Sequence, residues 1–355
     1  MSYEQHIYAG FADGLKDLNE CIVSDLMVST KAGRAYKTAY KEREGVYIDS
    51  IHVEPVDEDD KKHLSLMHAF NENLDRYGGG VYMGAAGLMN LGYIAAARPS
   101  AVILYDINVA QTVFWNDVIQ ALKNNPTVGG FIQFLKDERK TLPAKLKSIF
   151  NGASLIARIP DLHTWEMDGT HILNPVDIYR NSCCLDFHFD RTVEMHERFL
   201  LEDLDPDKYW VRQGYDHLHA LAKNGAIGAL TLDVLDENAC RQLQHYLDTV
   251  KYTRIAPDND TIAPVEKTGA RVNKMYVSNI FYFLQGKGVD FCERAIKGAA
   301  VDRARENLSM LVAKKWPHGM KADIIHHEPD IDSLGSWPQA STREIGSARD
   351  AGFGW

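Results

Sequence analysis

The sequence predicts an α/β protein: a doubly wound, mostly parallel sheet with N-terminal helices and an inserted helical subdomain. Three observations carry this expectation. Four apolar runs, Val81 to Met83, Ala101 to Tyr105, Ala226 to Leu235 and Val272 to Leu284, alternate with segments of helical period, as strands buried on both faces do. The first run opens into a turn holding Gly84 and Gly87, after which Leu88 to Arg98 suits a helix that Pro99 stops. The second run ends in an acid, Asp106, 22 residues after Gly84.

Strand, glycine turn and helix in succession bring the unpaired N–H groups of a helix N-terminus to the carboxyl edge of a strand. Glycine there predicts close approach of a ligand to the backbone, and a carboxylate about 20 residues further on reaches ribose hydroxyls. The unit therefore suits an adenosine-type ligand. A pyrophosphate is disfavoured, because Asn90 stands where a dinucleotide fingerprint wants its third glycine. A parallel-sheet turn that holds nothing is the plain alternative.

The rest of the chain fits around this unit. Residues 1–77 read as an N-terminal helical cover with an extended piece near Val46 to Val53. Within it, Asp57 to Asp60 can cap a helix whose apolar positions are Leu64, Met67, Phe70 and Leu74. Such a helix covers either the ligand cleft or the outer face of the sheet. Residues 78–316 form the core. After Asp106, Val109 to Ile119 has helical spacing, and Asn108 at its start serves as a cap, as a polar contact for the ligand, or as both.

From about 122 to 224 the chain is far longer than one crossover needs, which predicts an inserted helical subdomain. Inside it, Asp161 and His163 follow an apolar run and are candidate bases if that run is a sheet strand; a polar loop is the alternative reading. Asp233, near the end of the third apolar run, is a third candidate base. Ser278 and Asn279 interrupt the fourth run, as polar residues at a strand end opening into a cleft would, although capping of the next helix explains them equally. Residues 317–355 read as a polar tail with little core-forming power.

Composition narrows the function classes. Hydrophobic residues make up 45% of the 355, enough for a sizeable core, and the formal net charge of −10 argues against a broad nucleic-acid-binding face. Cys21, Cys183, Cys184, Cys240 and Cys292 form neither an even set nor a CxxC pair, which fits reduced thiols in the cytoplasm. The cluster around Cys183 and Cys184 matches no structural zinc spacing, so no metal is expected. No stretch of eighteen uninterrupted apolar residues occurs, and no membrane span is expected.

Together the segments Gly80 to Gly84, Asn90 to Pro99, the strand ending Asp106-Ile107, and Tyr276 to Asn279 resemble the class I S-adenosylmethionine-dependent methyltransferase-like Rossmann superfamily, most closely a bacterial branch of it. The resemblance spans about residues 75–135 and 205–285. It implies a Rossmann-like sheet of methyltransferase type and S-adenosylmethionine as small-molecule cofactor. Gly84, Ala85 and Gly87 would then lie beside the methionine part, Asp106 would take the ribose hydroxyls, and Ile107 would flank the adenine. Ser278 and Asn279 would stand near the amino-acid end. Tyr82 and Met83 occupy the approach where such proteins usually carry an acid.

Asp106-Ile-Asn108 with Gln111 also looks like the Asp-x-Asn-x-x-Gln pattern of aminocarboxypropyl transferases that use the same cofactor. Three readings stay open at this level besides methyl transfer to an acceptor the sequence does not name. They are aminocarboxypropyl transfer, a catalytically silent Rossmann module that binds a nucleotide-like metabolite or a protein, and a nicotinamide-dependent oxidoreductase. The two-glycine turn disfavours the last.

Overall fold

The computed structural model describes residues 5–31, 35–37, 42–44, 46–48, 61–74, 78–85, 87–107, 109–149, 155–157, 210–255, 264–270, 272–278, 280, 294–312, 323–329 and 340–343. The chain starts with β1 (Gln5–Tyr8), α1 (Phe11–Lys31), the short strands β2 (Ala35–Lys37), β3 (Glu42–Glu44) and β4 (Val46–Ile48), and α2 (Lys61–Glu72). The central unit follows as β5 (Val81–Ala85), α3 (Met89–Ala97), β6 (Ala101–Asp106), α4 (Val109–Asn124), α5 (Val128–Ile149) and β7 (Leu155–Ala157). Next come α6 (Trp210–Gln213), α7 (Tyr215–Lys223), β8 (Ile227–Thr231), α8 (Glu237–Thr249), β9 (Lys251–Ile255) and β10 (Val265–Thr268). The last elements are β11 (Val272–Ser278), α9 (Arg294–Leu311), β12 (Asp323–Pro329) and β13 (Ala340–Arg343).

The main sheet has six strands in the order β13-β12-β11-β5-β6-β8. All neighbours are parallel except β12 and β13, which pair antiparallel at the edge. Alternate residues of each central strand feed two separate cores. Tyr82, Val102, Leu104, Ile227, Ala229 and Tyr276 face a layer built from α2, α3, α4, α5 and α7. Val81, Met83, Ile103, Tyr105, Leu230 and Met275 face α1, α8 and α9. This period of two on a sheet buried on both sides is why these strands read as continuous apolar runs rather than as alternating ones.

The core helices described between β5 and β6 and between β6 and β8 pack on the first face, and those between β8 and β11 and between β11 and β12 pack on the second. Reversing direction along the sheet moves the helix to the other face, as a constant crossover hand requires. The architecture is an α/β protein with a parallel sheet between helical layers, compatible with a Rossmann-like fold.

Among the described helices α3 is deeply buried. Eight of its nine residues are buried, as an apolar surface on every side demands. It ends where Arg98 turns left-handed at φ 46°, donating its N–H to Ile94 O, immediately before Pro99. The helices α6 and α7 meet at Gly214, where a Cβ would collide with Ala95 of α3. Close approach of the two backbones requires glycine there.

The N-terminal helices take the outer faces. α1 packs over β8, where Leu15 meets Gly228, and α2 packs on α3, with Met67 against Gly92. Asp57 to Asp60 lie outside the described residues. β9 joins β1 and β10 in a separate antiparallel sheet. Two segments of the expected polar tail also differ from the sequence reading: β12 and β13 extend the main sheet beyond β11. An edge strand of this kind is held by backbone pairing with its neighbour, which needs little apolar content. Among the described residues, no helix is long and apolar enough to cross a membrane.

Candidate functional site

At the carboxyl edge of the sheet, the register sets the glycine turn beside the acid. Gly84 lies opposite Leu104 on one side and Tyr276 on the other, and Ala85 lies opposite Tyr105. Asp106 follows Tyr105 and lies opposite Thr231. β5 and β11 are the adjacent strands at which the direction of winding reverses. In open α/β sheets the crevice at such a switch point is where ligands bind.

The turn itself is organised by Asn90, in the first turn of α3 and fully buried. Its Nδ2 donates to Ala85 O and to Gly87 O, both at 2.8 Å, and its Oδ1 accepts from the Tyr82 hydroxyl at 2.8 Å. Carbonyl oxygens only accept, so the NH2 group must face the turn and Oδ1 the phenol. A Cβ at position 84 would collide with Asn90 Oδ1 and come within 2.7 Å of Tyr82 Cε1. Gly84 is glycine because Asn90 and Tyr82 fill the space beside it. The expectation that its missing side chain makes room for a ligand does not describe this position. Burial pushes the Tyr82 phenol well above its ordinary value, with the Tyr276 and Tyr105 phenols adding to the shift. It therefore stays a proton donor to Asn90.

Across the switch point, the Tyr276 hydroxyl donates to Met89 Sδ at 2.7 Å, and the Tyr276 ring lies 5.3 Å from that of Tyr93. Ala85 and Gly87 are buried, whereas Asp106 and Ile107 are half-buried at the edge. No side chain caps α3: its N-cap residue is Leu88. The N-cap residue thus supplies no side-chain acceptor to the first helical N–H groups.

A second polar group lies past β8, on the α8 side. Asp233 Oδ1 accepts from Leu235 N at 2.9 Å, closing the turn into α8, while Oδ2 is buried without a hydrogen-bond partner. Burial is the main reason its carboxyl is raised to about 7; the hydrogen bond from Leu235 opposes the shift, and nearby Asp236 adds to it. The Tyr105 hydroxyl is likewise buried and unpartnered, and burial pushes the Cys240 thiol up to about 12. Cys240 is consequently an inert apolar filler rather than a nucleophile. Among the described residues, no three His, Cys, Asp or Glu side chains gather in a way that could hold a metal.

A sequence model of the family described as Domain of unknown function (DUF7790) matches residues 62–253, more than half of the chain. The chain belongs to this DUF7790 family. The matched span starts in α2, takes in the glycine turn, Asn90, Asp106 and Asp233, and ends in β9. It stops short of β11, so the other wall of the switch point lies outside the DUF7790 match. No curated protein sequence matches the chain.

Of the residues singled out from the sequence, Gly84, Ala85, Gly87, Asp106 and Ile107 come together at the edge of β5 and β6. Ser278 is the last residue of β11, on the other side of β5. Asp233 stands two residues beyond β8, enclosed under α8. Asn108, Asn279, Asp161 and His163 lie outside the described residues. Gln111 is wholly buried on the first turn of α4. Sequence reasoning missed the structural roles of Tyr82, Asn90 and Tyr276. The available signal was a polar residue inside an otherwise apolar helix, three places after Gly87.

Proposed function

We propose that this protein binds S-adenosylmethionine at the β5/β11 switch point and transfers its methyl group to an acceptor. The observation that carries the reading is the placement of Asp106: a half-buried carboxylate one strand from the glycine turn, at the crevice where a doubly wound sheet takes its ligand. Asp106 would hold the ribose hydroxyls and Ile107 the adenine, while Ala85, Gly87 and the β11 end, with Ser278 and then Asn279, would line the methionine part. When bound, the cofactor's sulfonium supplies the activated leaving group. The protein's own work is then to orient an acceptor and exclude water. Asp161 and His163 remain candidate bases within this reading; Asp233 would serve only if the α8 turn opened, because its carboxyl is enclosed.

The test is thermal unfolding with S-adenosylmethionine, S-adenosylhomocysteine, NAD and ATP, in wild type and Asp106→Ala. A ligand at about 100 times its dissociation constant adds about 2.7 kcal/mol to native stability. The expected result is a rise in Tm with the first two ligands that disappears in Asp106→Ala. Product analysis then separates the transfers: methyl transfer leaves S-adenosylhomocysteine, and aminocarboxypropyl transfer leaves methylthioadenosine.

A second reading has its own observation. Gly84 faces Asn90 instead of open space, and Gly84, Ala85 and Gly87 are buried, which suits a catalytically silent module that binds a nucleotide-like metabolite or a protein. Absence of any shift with all four ligands supports that reading over the transferase.

A further inference from the structure

We infer that Asn90 is the positioning residue of the ligand turn, and that it sets which side of the backbone the turn offers to a cofactor. This inference rests on the reading that the turn binds S-adenosylmethionine. Three hydrogen bonds converge on one fully buried amide: two from Nδ2 to the carbonyls of Ala85 and Gly87, and one from the Tyr82 hydroxyl to Oδ1. Gly87 O also accepts from the Asn90 backbone N–H at 3.2 Å. Carbonyls on both sides of the turn are therefore held toward the inside of the strand–helix junction.

A trans peptide points its C=O and its N–H in opposite directions. Holding Gly87 O against Asn90 turns the Leu88 N–H to the side of the turn away from the amide. A carbonyl facing the crevice would repel the carboxylate end of the ligand, whereas an N–H can donate to it. The Tyr82 phenol fixes the amide in the one orientation that presents two donors to the turn.

Asn90→Asp separates this role from simple filling of space, because the volume is nearly unchanged while the two donors are lost. An ionised carboxylate at 90 faces the Ala85 and Gly87 carbonyls with acceptors only. Protonation restores one donor, and burial raises the pH at which that happens. The experiment titrates S-adenosylhomocysteine into wild type, Asn90→Asp and Tyr82→Phe between pH 6 and pH 8.5, following the amide NMR signals of Leu88 and Met89 in parallel.

The expected result is binding about tenfold or more weaker for Asn90→Asp at high pH, since two buried carbonyls lose their donors. Affinity recovers as the pH falls, while wild type stays flat. In Tyr82→Phe, which leaves both donors in place, a loss of about threefold is expected, with shifted Leu88 and Met89 signals. Wild-type affinity in Asn90→Asp at every pH overturns the inference and leaves the cofactor reading standing. If Asn90→Asp does not fold, unchanged affinity and amide signals in Tyr82→Phe overturn it instead. A wild type that binds no S-adenosylhomocysteine overturns the cofactor reading, and the inference with it.

Discussion

An alanine at position 84 would drive its methyl group into Asn90 Oδ1 and the Tyr82 ring. Both neighbours are fully buried and held by hydrogen bonds, so neither can give way cheaply. Gly84→Ala is expected to cost about 1–3 kcal/mol of unfolding free energy, as overpacking of a tight core does. Urea denaturation measures it. Combining it with Asn90→Ala should recover part of that loss if the collision is the cause. At Asp233 the sign of the pH dependence follows from the raised folded-state value, about 7, against about 3.9 in an unfolded chain. Between these values the native state holds the proton more tightly. Stability is therefore highest at the acid end of the window, falls as pH rises toward 7, and stays lower above it. The slope reaches at most about 1.4 kcal/mol per pH unit. Asp233→Asn, which keeps the acceptor for Leu235 N, should flatten that slope, and unfolding curves at pH 5, 6, 7 and 8 read it directly.

Among the elements, α3 and β12 stand at opposite extremes. α3 is apolar apart from Asn90 and buried at eight of its nine residues, so its position follows from its composition. β12 contains the run Asp323-Ile-Ile-His-His-Glu-Pro329, with few apolar residues, and it is placed by parallel pairing with β11. Removing residues 313–355 would strip β12 and β13 from the sheet and leave β11 as an unpaired edge. The truncated chain is expected to have a lower Tm and to aggregate more readily, because an open edge of a parallel sheet is a template for further pairing. Calorimetry and light scattering check both outcomes.

For the whole molecule, two cores on opposite faces of one sheet fix the geometry of the edge between them. The chain winds outward through β5, β6 and β8, then returns to place β11 on the other side of β5. That return makes β5 and β11 a switch point, and it brings Gly84 between Leu104 and Tyr276, residues 20 and 192 positions away in the chain. The α/β class, the four central strands, the glycine turn and the strand-end acid Asp106 were all legible because each is a local pattern. The cradle around the turn was not, since Tyr82 and Asn90 read separately as a strand residue and a misplaced glycine substitute.

By itself, the sequence determined the periodicities and breaks that make the strands and helices, and with them the position of Asp106 at a strand end. Those features depend on neighbours a few residues apart. Only the tertiary structure decided which face each residue serves, that β12 and β13 complete the sheet, and that Gly84 yields its space to Asn90. Each of these depends on contacts or backbone pairing between segments brought together by folding, and a buried hydrogen-bond donor shows its role only when its acceptors are in place.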